Sequence, residues 1–233
     1  MERDTRVAAG TRADAEGSVD ENEAIVRVAR LLAPVTVLGP GARLGLWVQG
    51  CGLACPGCSA QDTWDPTGGV PVPVPQLVDR IVDAIVADSL DGLTITGGEP
   101  TDQGAPLASV VSGVRERIGS LDVLVFTGRT LGAARATAPA LIKAATCVVA
   151  GPYRREEPLP GHRLRATANQ EMWIESDASE RYASWLADAD APGLQVFAEG
   201  GGLYLVGLPR PGDLDRFDAL MAQAGVTLKG VSW

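Results

Sequence analysis

Cys51-Gly52-Leu53-Ala54-Cys55-Pro56-Gly57-Cys58 sets three of the chain's four cysteines in a C-x3-C-x2-C spacing. No other stretch concentrates potential ligands so tightly. Three thiolates on one short loop can hold three corners of a cubane iron–sulfur cluster. Ordinary electron-transfer clusters of that kind take four cysteines, so a triad leaves one iron open to a small molecule. A structural zinc site is the competing account, with Cys147 or the single histidine, His162, as fourth ligand. Three free core cysteines suit this loop poorly, because its glycines and prolines would expose them. A disulfide fits badly with a start that shows no export signal.

Working outward, Gly92-Leu93-Thr94-Ile95 is a short β-branched apolar run that predicts a buried strand. Thr96-Gly97-Gly98-Glu99-Pro100 follows it. Two glycines at a strand end let backbone lie flush against a ligand, with Glu99 facing it as an acceptor. A plain turn would account for Gly-Gly alone, but not for its pairing with the cysteine triad.

That pairing of C-x3-C-x2-C with a downstream G-G-E-P resembles the radical S-adenosylmethionine (SAM) superfamily. The segment Asp62-Thr63-Trp64-Asp65 with Gly68-Gly69 is similar to the D-T-W-D…G-G of glycyl-radical-enzyme activases. Trp47-Val48-Gln49-Gly50-Cys51 and Cys55-Pro56-Gly57-Cys58 resemble the branch that activates anaerobic ribonucleotide reductase, as do Phe126-Thr127-Gly128 and Arg165-Ala166-Thr167-Ala168-Asn169-Gln170. The resemblance runs from Val35 to Trp173. It departs at Ala150 and Pro152, where activases commonly carry an Asp and a Lys. Polar contacts to SAM would then come from elsewhere, such as Tyr153 or Arg154.

Composition narrows the classes. With 45% hydrophobic and 21% charged residues in 233, the chain can bury a sizeable core. A formal net charge of -9 argues against a nucleic-acid binder, which carries a basic face. No apolar run reaches the ~18 residues of a membrane span, and Met1-Glu2-Arg3-Asp4 lacks a signal-peptide layout. A cytoplasmic protein is the expectation.

In order along the chain, residues 1–23 are polar and small and predict a disordered tail. Ile25 to Leu32 suits an edge strand or hairpin, Val35 to Leu38 continues extended, and Leu44 to Val48 is the strand that delivers the cysteine loop. The alternating prolines of 70–75 exclude a central strand and predict a linker on the surface. Leu77, Ile81, Ile85 and Val86 mark the buried side of a helix. Further helices are expected near Pro106–Ile118 and over Leu131–Ala144, with strands at Asp122–Phe126 and Cys147–Ala150. From Arg154 a loop carries Arg155, His162, Arg163 and Arg165. It reads either as a solvated loop or as a patch for an acidic reductant or the SAM carboxylate. The tail from Leu194 predicts two short strands, a helix near Leu214–Ala224 and a last strand at Val226–Lys229. Strand–helix alternation implies parallel strands, whose C-terminal ends carry the motifs.

The resemblance implies an α/β fold, a partial (β/α)6 barrel of about six strands. Around it are an N-terminal extended segment and a small C-terminal α+β extension. The domains are then 1–23 as tail, 24–193 as barrel and 194–233 as extension packed on it. It also implies a 4Fe-4S cluster held by Cys51, Cys55 and Cys58. SAM would be held at its methionine end by Gly97, Gly98, Glu99 and Pro100. Thr127 and Gly128 would contact the ribose, and Asn169 and Gln170 would support that pocket. The implied activity is reductive cleavage of SAM to a 5′-deoxyadenosyl radical, which installs a glycyl radical on a partner enzyme. A flavodoxin or ferredoxin-type protein would supply electrons. Two alternatives stay open: a radical SAM enzyme acting on a small molecule or ribosomal peptide, and a non-catalytic iron–sulfur or zinc protein.

Overall fold

The structure, a computed structural model, describes residues 24–199, 202–210 and 212–227. The tail expected over 1–23 lies outside them, as does the second half of the strand expected at 226–229.

Its framework is a seven-stranded sheet. In chain order come β1 (Ile25–Val35), β2 (Arg43–Val48), β3 (Val70–Pro73), α1 (Val74–Asp88), β4 (Gly92–Gly97), α2 (Gly104–Ile118) and β5 (Asp122–Thr127). Then follow α3 (Leu131–Thr137), α4 (Pro139–Ala144), β6 (Cys147–Ala150), β7 (Glu171–Ile174) and α5 (Ser179–Ala187). The hairpin β8 (Leu194–Glu199) and β9 (Gly202–Gly207) and the helix α6 (Asp213–Gln223) complete the described chain.

The strand order is β3-β1-β2-β4-β5-β6-β7. Neighbours β2, β4, β5 and β6 run parallel, while β3, β1 and β7 join antiparallel. The fold is mixed α/β with four parallel strands at its centre, where the resemblance led to an expectation of about six.

The parallel strands are apolar on both sides because both sides are covered. Leu46, Val48, Ile95, Val123, Val125 and Val148 point one way, into a core shared with Leu77 and Ile81 of α1 and Leu107 and Val111 of α2. Their alternates point the other way. Trp47 meets Leu32, Val35 and Val206 of β9, and Leu124, Cys147 and Val149 meet Leu164, Ala178 and Tyr182. Each fully buried aliphatic side chain contributes about 1.5–3 kcal/mol relative to exposure.

Three local expectations need correction. The proline stretch is strand β3, with Val72 opposite Val26; an edge strand has an unbonded side, so donorless residues are tolerated there. The helix expected over 131–144 is split, because Pro139 opens α4 and disfavours helical backbone at Ala138 (φ −133, ψ 58). Val86 is exposed although Leu77, Ile81 and Ile85 are buried. β7 and α5 lie in a stretch between Arg165 and Leu194 for which the sequence predicted no element.

A buried ion pair braces the sheet edge away from the cysteines. Arg43, fully buried, bonds Asp122 Oδ1 at 2.8 Å, Thr94 Oγ1 at 2.7 Å and the Pro40 and Leu93 carbonyls. Asp122 also takes bonds from Tyr182 and Arg181. On the opposite flank, Arg30 stands 4.7 Å from the Tyr204 ring and 5.9 Å from that of Trp47, which helps seat the C-terminal hairpin on the sheet.

Candidate functional site

The cysteine loop leaves the C-terminal end of β2 and is closed at its base by backbone. Gly50 N–H donates to Thr63 O at 2.8 Å and Cys51 N–H to Trp64 O at 3.1 Å. Side chains reinforce the closure: Gln49 Nε2 donates to the Asp65 carbonyl at 2.8 Å, and Arg30 pairs with Asp62. The similarity at Asp62-Thr63-Trp64-Asp65 thus has a local cause, since this segment returns the loop to the sheet. Within the loop, Cys58 N–H donates to Cys55 O at 3.1 Å and the Ala60 amide reaches the Cys58 sulfur at 3.4 Å. All three thiols are free and half-buried.

The Gly-Gly-Glu turn after β4 packs on the root of that loop. Gly98 N–H donates to Val48 O and Glu99 N–H to Gly50 O, both at 2.8 Å. The approach is so close that a Cβ at Gly98 would lie 2.2 Å from the Gly50 carbonyl oxygen. Gly97 adopts φ +101, and a Cβ there would meet Val48 backbone at 2.6 Å. Both glycines are therefore required by backbone packing against the residues that carry Cys51.

Glu99 is 1% exposed. Its Oε1 accepts from Thr101 N (3.0 Å), Thr101 Oγ1 (2.6 Å) and Thr127 Oγ1 (2.7 Å), and its Oε2 from Gly128 N (2.8 Å). The carboxylate caps the short turn that begins at Pro100 and ties it to the end of β5. Its bonds are all to protein, and the half-exposed backbone of 96–98 is what this turn presents to solvent.

The ends of β5 and β6 complete the rim. Gly151 N–H donates to Thr127 O at 3.0 Å, and Gln170 Nε2 donates to Gly151 O at 3.2 Å. This chain of contacts brings Thr127 and Gly128 beside Gln170, whose Oε1 accepts the Ala166 amide. Asn169 donates to Pro152 O at 2.8 Å, but its Oδ1 is buried without a partner, as are Thr167 Oγ1 and Arg165 Nε. Three such atoms within five residues call for a polar occupant. Leu53 of the cysteine loop folds over Gly128, and Tyr153 stands 3.3 Å from where a Cβ would sit on Gly57. Arg154 is engaged with Glu157 instead.

Arg129 was not singled out by the sequence, although it directly follows Thr127-Gly128. It binds Thr101 Oγ1 at 2.8 Å and Asp102 at 2.5 Å. Asp102 chiefly, with Glu99 and Cys51 adding their negative charge, raises its pKa further. The site thus holds a fixed cation near its first thiol.

Among the described residues no group of three His, Cys, Asp or Glu side chains is already arranged to grip a metal ion. The donor set is what fits: three free thiols, which are soft ligands suited to iron–sulfur clusters. Nearby carboxylates are engaged, Asp62 by Arg30, Asp102 by Arg129 and Glu99 as described. The fourth ligands considered for zinc are badly placed. Cys147 is fully buried at the start of β6, where burial first and then Asp122 push its pKa up to about 12. His162 already accepts the Leu164 and Arg165 amides on Nδ1.

The comparisons agree with this donor set. A family model described as a 4Fe-4S single cluster domain matches residues 37–173. The chain is 31% identical over 146 residues to the anaerobic ribonucleoside-triphosphate reductase-activating protein of Vibrio cholerae, covering 59% of this chain and 91% of that one. The protein of the same name from Enterobacteria phage T4 is 29% identical, over 60% and 89% of the two chains, and that of Escherichia coli K12 is 29% identical, over 59% and 92%. Among solved structures, QueE from Escherichia coli matches with a TM-score of 0.37 and 16% identity, over 46% of this chain and 54% of that one. The chain belongs to the 4Fe-4S single cluster domain family and to the family of the anaerobic ribonucleoside-triphosphate reductase-activating proteins.

Proposed function

We infer that the chain is a radical SAM activase that installs a glycyl radical on a larger reductase. The observation that carries this is the backbone joint between the cysteine loop and the Gly-Gly-Glu turn, which builds a thiol triad and a glycine-lined ligand face as one unit. Cys51, Cys55 and Cys58 would hold the cluster. Bound there, it would supply the electron that cleaves SAM to methionine and a 5′-deoxyadenosyl radical. Every other step falls to the protein. The backbone of Gly97 and Gly98 would lie against the methionine end, with Glu99 and Pro100 fixing that turn in place. Thr127 and Gly128 would border the ribose. Asn169 Oδ1 would accept from the occupant, and Gln170 would support that pocket by tying the Ala166 and Thr167 amides to the Gly151 carbonyl. Leu53 and Tyr153 would exclude water.

We take residues 24–193 as the catalytic unit, a shortened partial barrel, and the segment from 194 as an extension on it. A flavodoxin or ferredoxin-type protein is the proposed electron donor. The net charge of -9 speaks against nucleic acid as a partner, and no helix among the described residues is long and apolar enough to cross a membrane. One observation favours direct action on a small molecule or peptide: the extension, which lies outside the matched residues, encloses a cleft that Tyr153 also lines.

Electron paramagnetic resonance separates the two. The reconstituted, reduced chain is mixed anaerobically with SAM and a purified anaerobic ribonucleoside-triphosphate reductase. A glycyl radical on the reductase is expected. Formation of 5′-deoxyadenosine with no radical on the reductase would favour the small-molecule or peptide account.

A further inference from the structure

The segment 158–166 and the C-terminal extension enclose a cleft of about 420 Å³, within the range of small-molecule sites. Its walls are stiff and apolar, with Pro158, Pro160, Pro192, Pro209, Leu208 and Leu214 among them. Arg163, Arg165 and Arg210 also line it, against one carboxylate, Asp215.

Among the described residues none of these three guanidinium groups is ion-paired, whereas Arg30, Arg43 and Arg129 each meet a carboxylate. Arg163 is 9% exposed, stacks 3.4 Å from the Trp185 ring centroid and donates to the Trp185 carbonyl. Arg165 donates through Nη1 to Gln170 O at 2.9 Å. Arg210 Nη2 donates to the Ala191 carbonyl at 3.4 Å. Each guanidinium carries five donors, so most remain free. His162 adds another: its Nδ1 accepts two amides, which leaves the ring proton on Nε2. Burial, and then Arg165, hold its pKa below the ordinary value, so the ring is neutral at pH 7.

Gathering cations on a partly buried apolar wall is costly without an anion. Guanidinium forks match carboxylate and phosphate bidentately. A bare inorganic ion would leave the apolar walls unused. We propose that this cleft binds a small organic oxyanion, a carboxylate or phosphate carried on an apolar body. Nearly half of its wall, between Pro192 and Asp215, lies beyond the residues that the family model matches. The site therefore belongs to this chain's extension rather than to the cysteine loop, with Tyr153 as their common wall. It does not rest on the activase assignment.

Calorimetric titration of the whole chain, purified without cluster, tests this. The probes are phenyl phosphate and benzoate, with benzyl alcohol as the neutral control. Saturable binding of at least one anion is expected, and the tighter one identifies the oxyanion. The exposed variant Arg210→Gln should weaken it roughly tenfold, the scale of one charge-assisted bond. Absence of saturable binding by either anion, or equal binding of benzyl alcohol, would overturn the proposal. So would an affinity unchanged in both Arg210→Gln and Arg163→Lys.

Discussion

The amide of Glu99 donates to the carbonyl oxygen of Gly50, one residue before the first cysteine, at 2.8 Å. Two motifs that are far apart in sequence therefore share a backbone joint. Any side chain inserted there must displace one motif from the other.

Gly98→Ala tests the joint. Its Cβ would stand 2.2 Å from Gly50 O, and overpacking of this kind costs about 1–3 kcal/mol. The melting temperature should fall by several degrees, and iron bound after reconstitution should fall with it, while the far-ultraviolet circular dichroism stays that of the wild type. Unchanged iron and melting would show that the two motifs are independent.

Glu99→Gln separates a ligand-facing role from a structural one. The carboxylate accepts four bonds from protein donors, and an amide nitrogen in place of one oxygen would confront a donor. The expected loss is about 1–3 kcal/mol, visible in thermal unfolding with no ligand present. A variant that melts like the wild type would mean the carboxylate is not holding the turn.

Cys147 should behave unlike the triad. Iodoacetamide applied to the cluster-free protein at pH 8 should label Cys51, Cys55 and Cys58 and spare Cys147, which is buried. Its raised pKa carries a sign. Below its ordinary value of 9.0 the thiol is neutral in both folded and unfolded states, so its effect on stability is constant. Above that, the unfolded chain loses the proton first, and stability falls until the folded value of about 12. Urea midpoints of Cys147→Ala should therefore fall less between pH 9 and 11 than those of the wild type. Parallel falls would count against the shift.

The centre of the fold was legible because apolar runs and helical periods alternate from Leu44 to Ala150 with little interruption. The edges were not. β7 is four residues of mixed burial, and α5 buries only Tyr182, so neither has a period strong enough to read. β3 was hidden by its prolines, whose missing donors exclude a central strand but not an edge one. In the site, the cysteines and glycines were visible as residue types. The direction of the Glu99 side chain was not, because it depends on Thr127 and Gly128 arriving from another strand.

Two ion pairs should differ sharply in weight. Asp122→Ala strands the fully buried Arg43 and removes the acceptor of Tyr182, a loss of about 3–5 kcal/mol. Asp79→Ala breaks an exposed pair with Arg117, and such pairs contribute about 0–1 kcal/mol. Chemical denaturation of both variants side by side checks the ranking, and equal losses would refute it.

The central claim is that Cys51, Cys55 and Cys58 hold a cluster that cleaves SAM. Its most direct test is the electron paramagnetic resonance spectrum of the anaerobically reconstituted, dithionite-reduced chain, with and without SAM. 5′-Deoxyadenosine is assayed in the same tubes. A 4Fe-4S signal that shifts on adding SAM, with deoxyadenosine formed, is predicted for the wild type, and its loss when any one of the three cysteines is changed to alanine. A cluster indifferent to SAM, or a colourless zinc protein, would contradict the account.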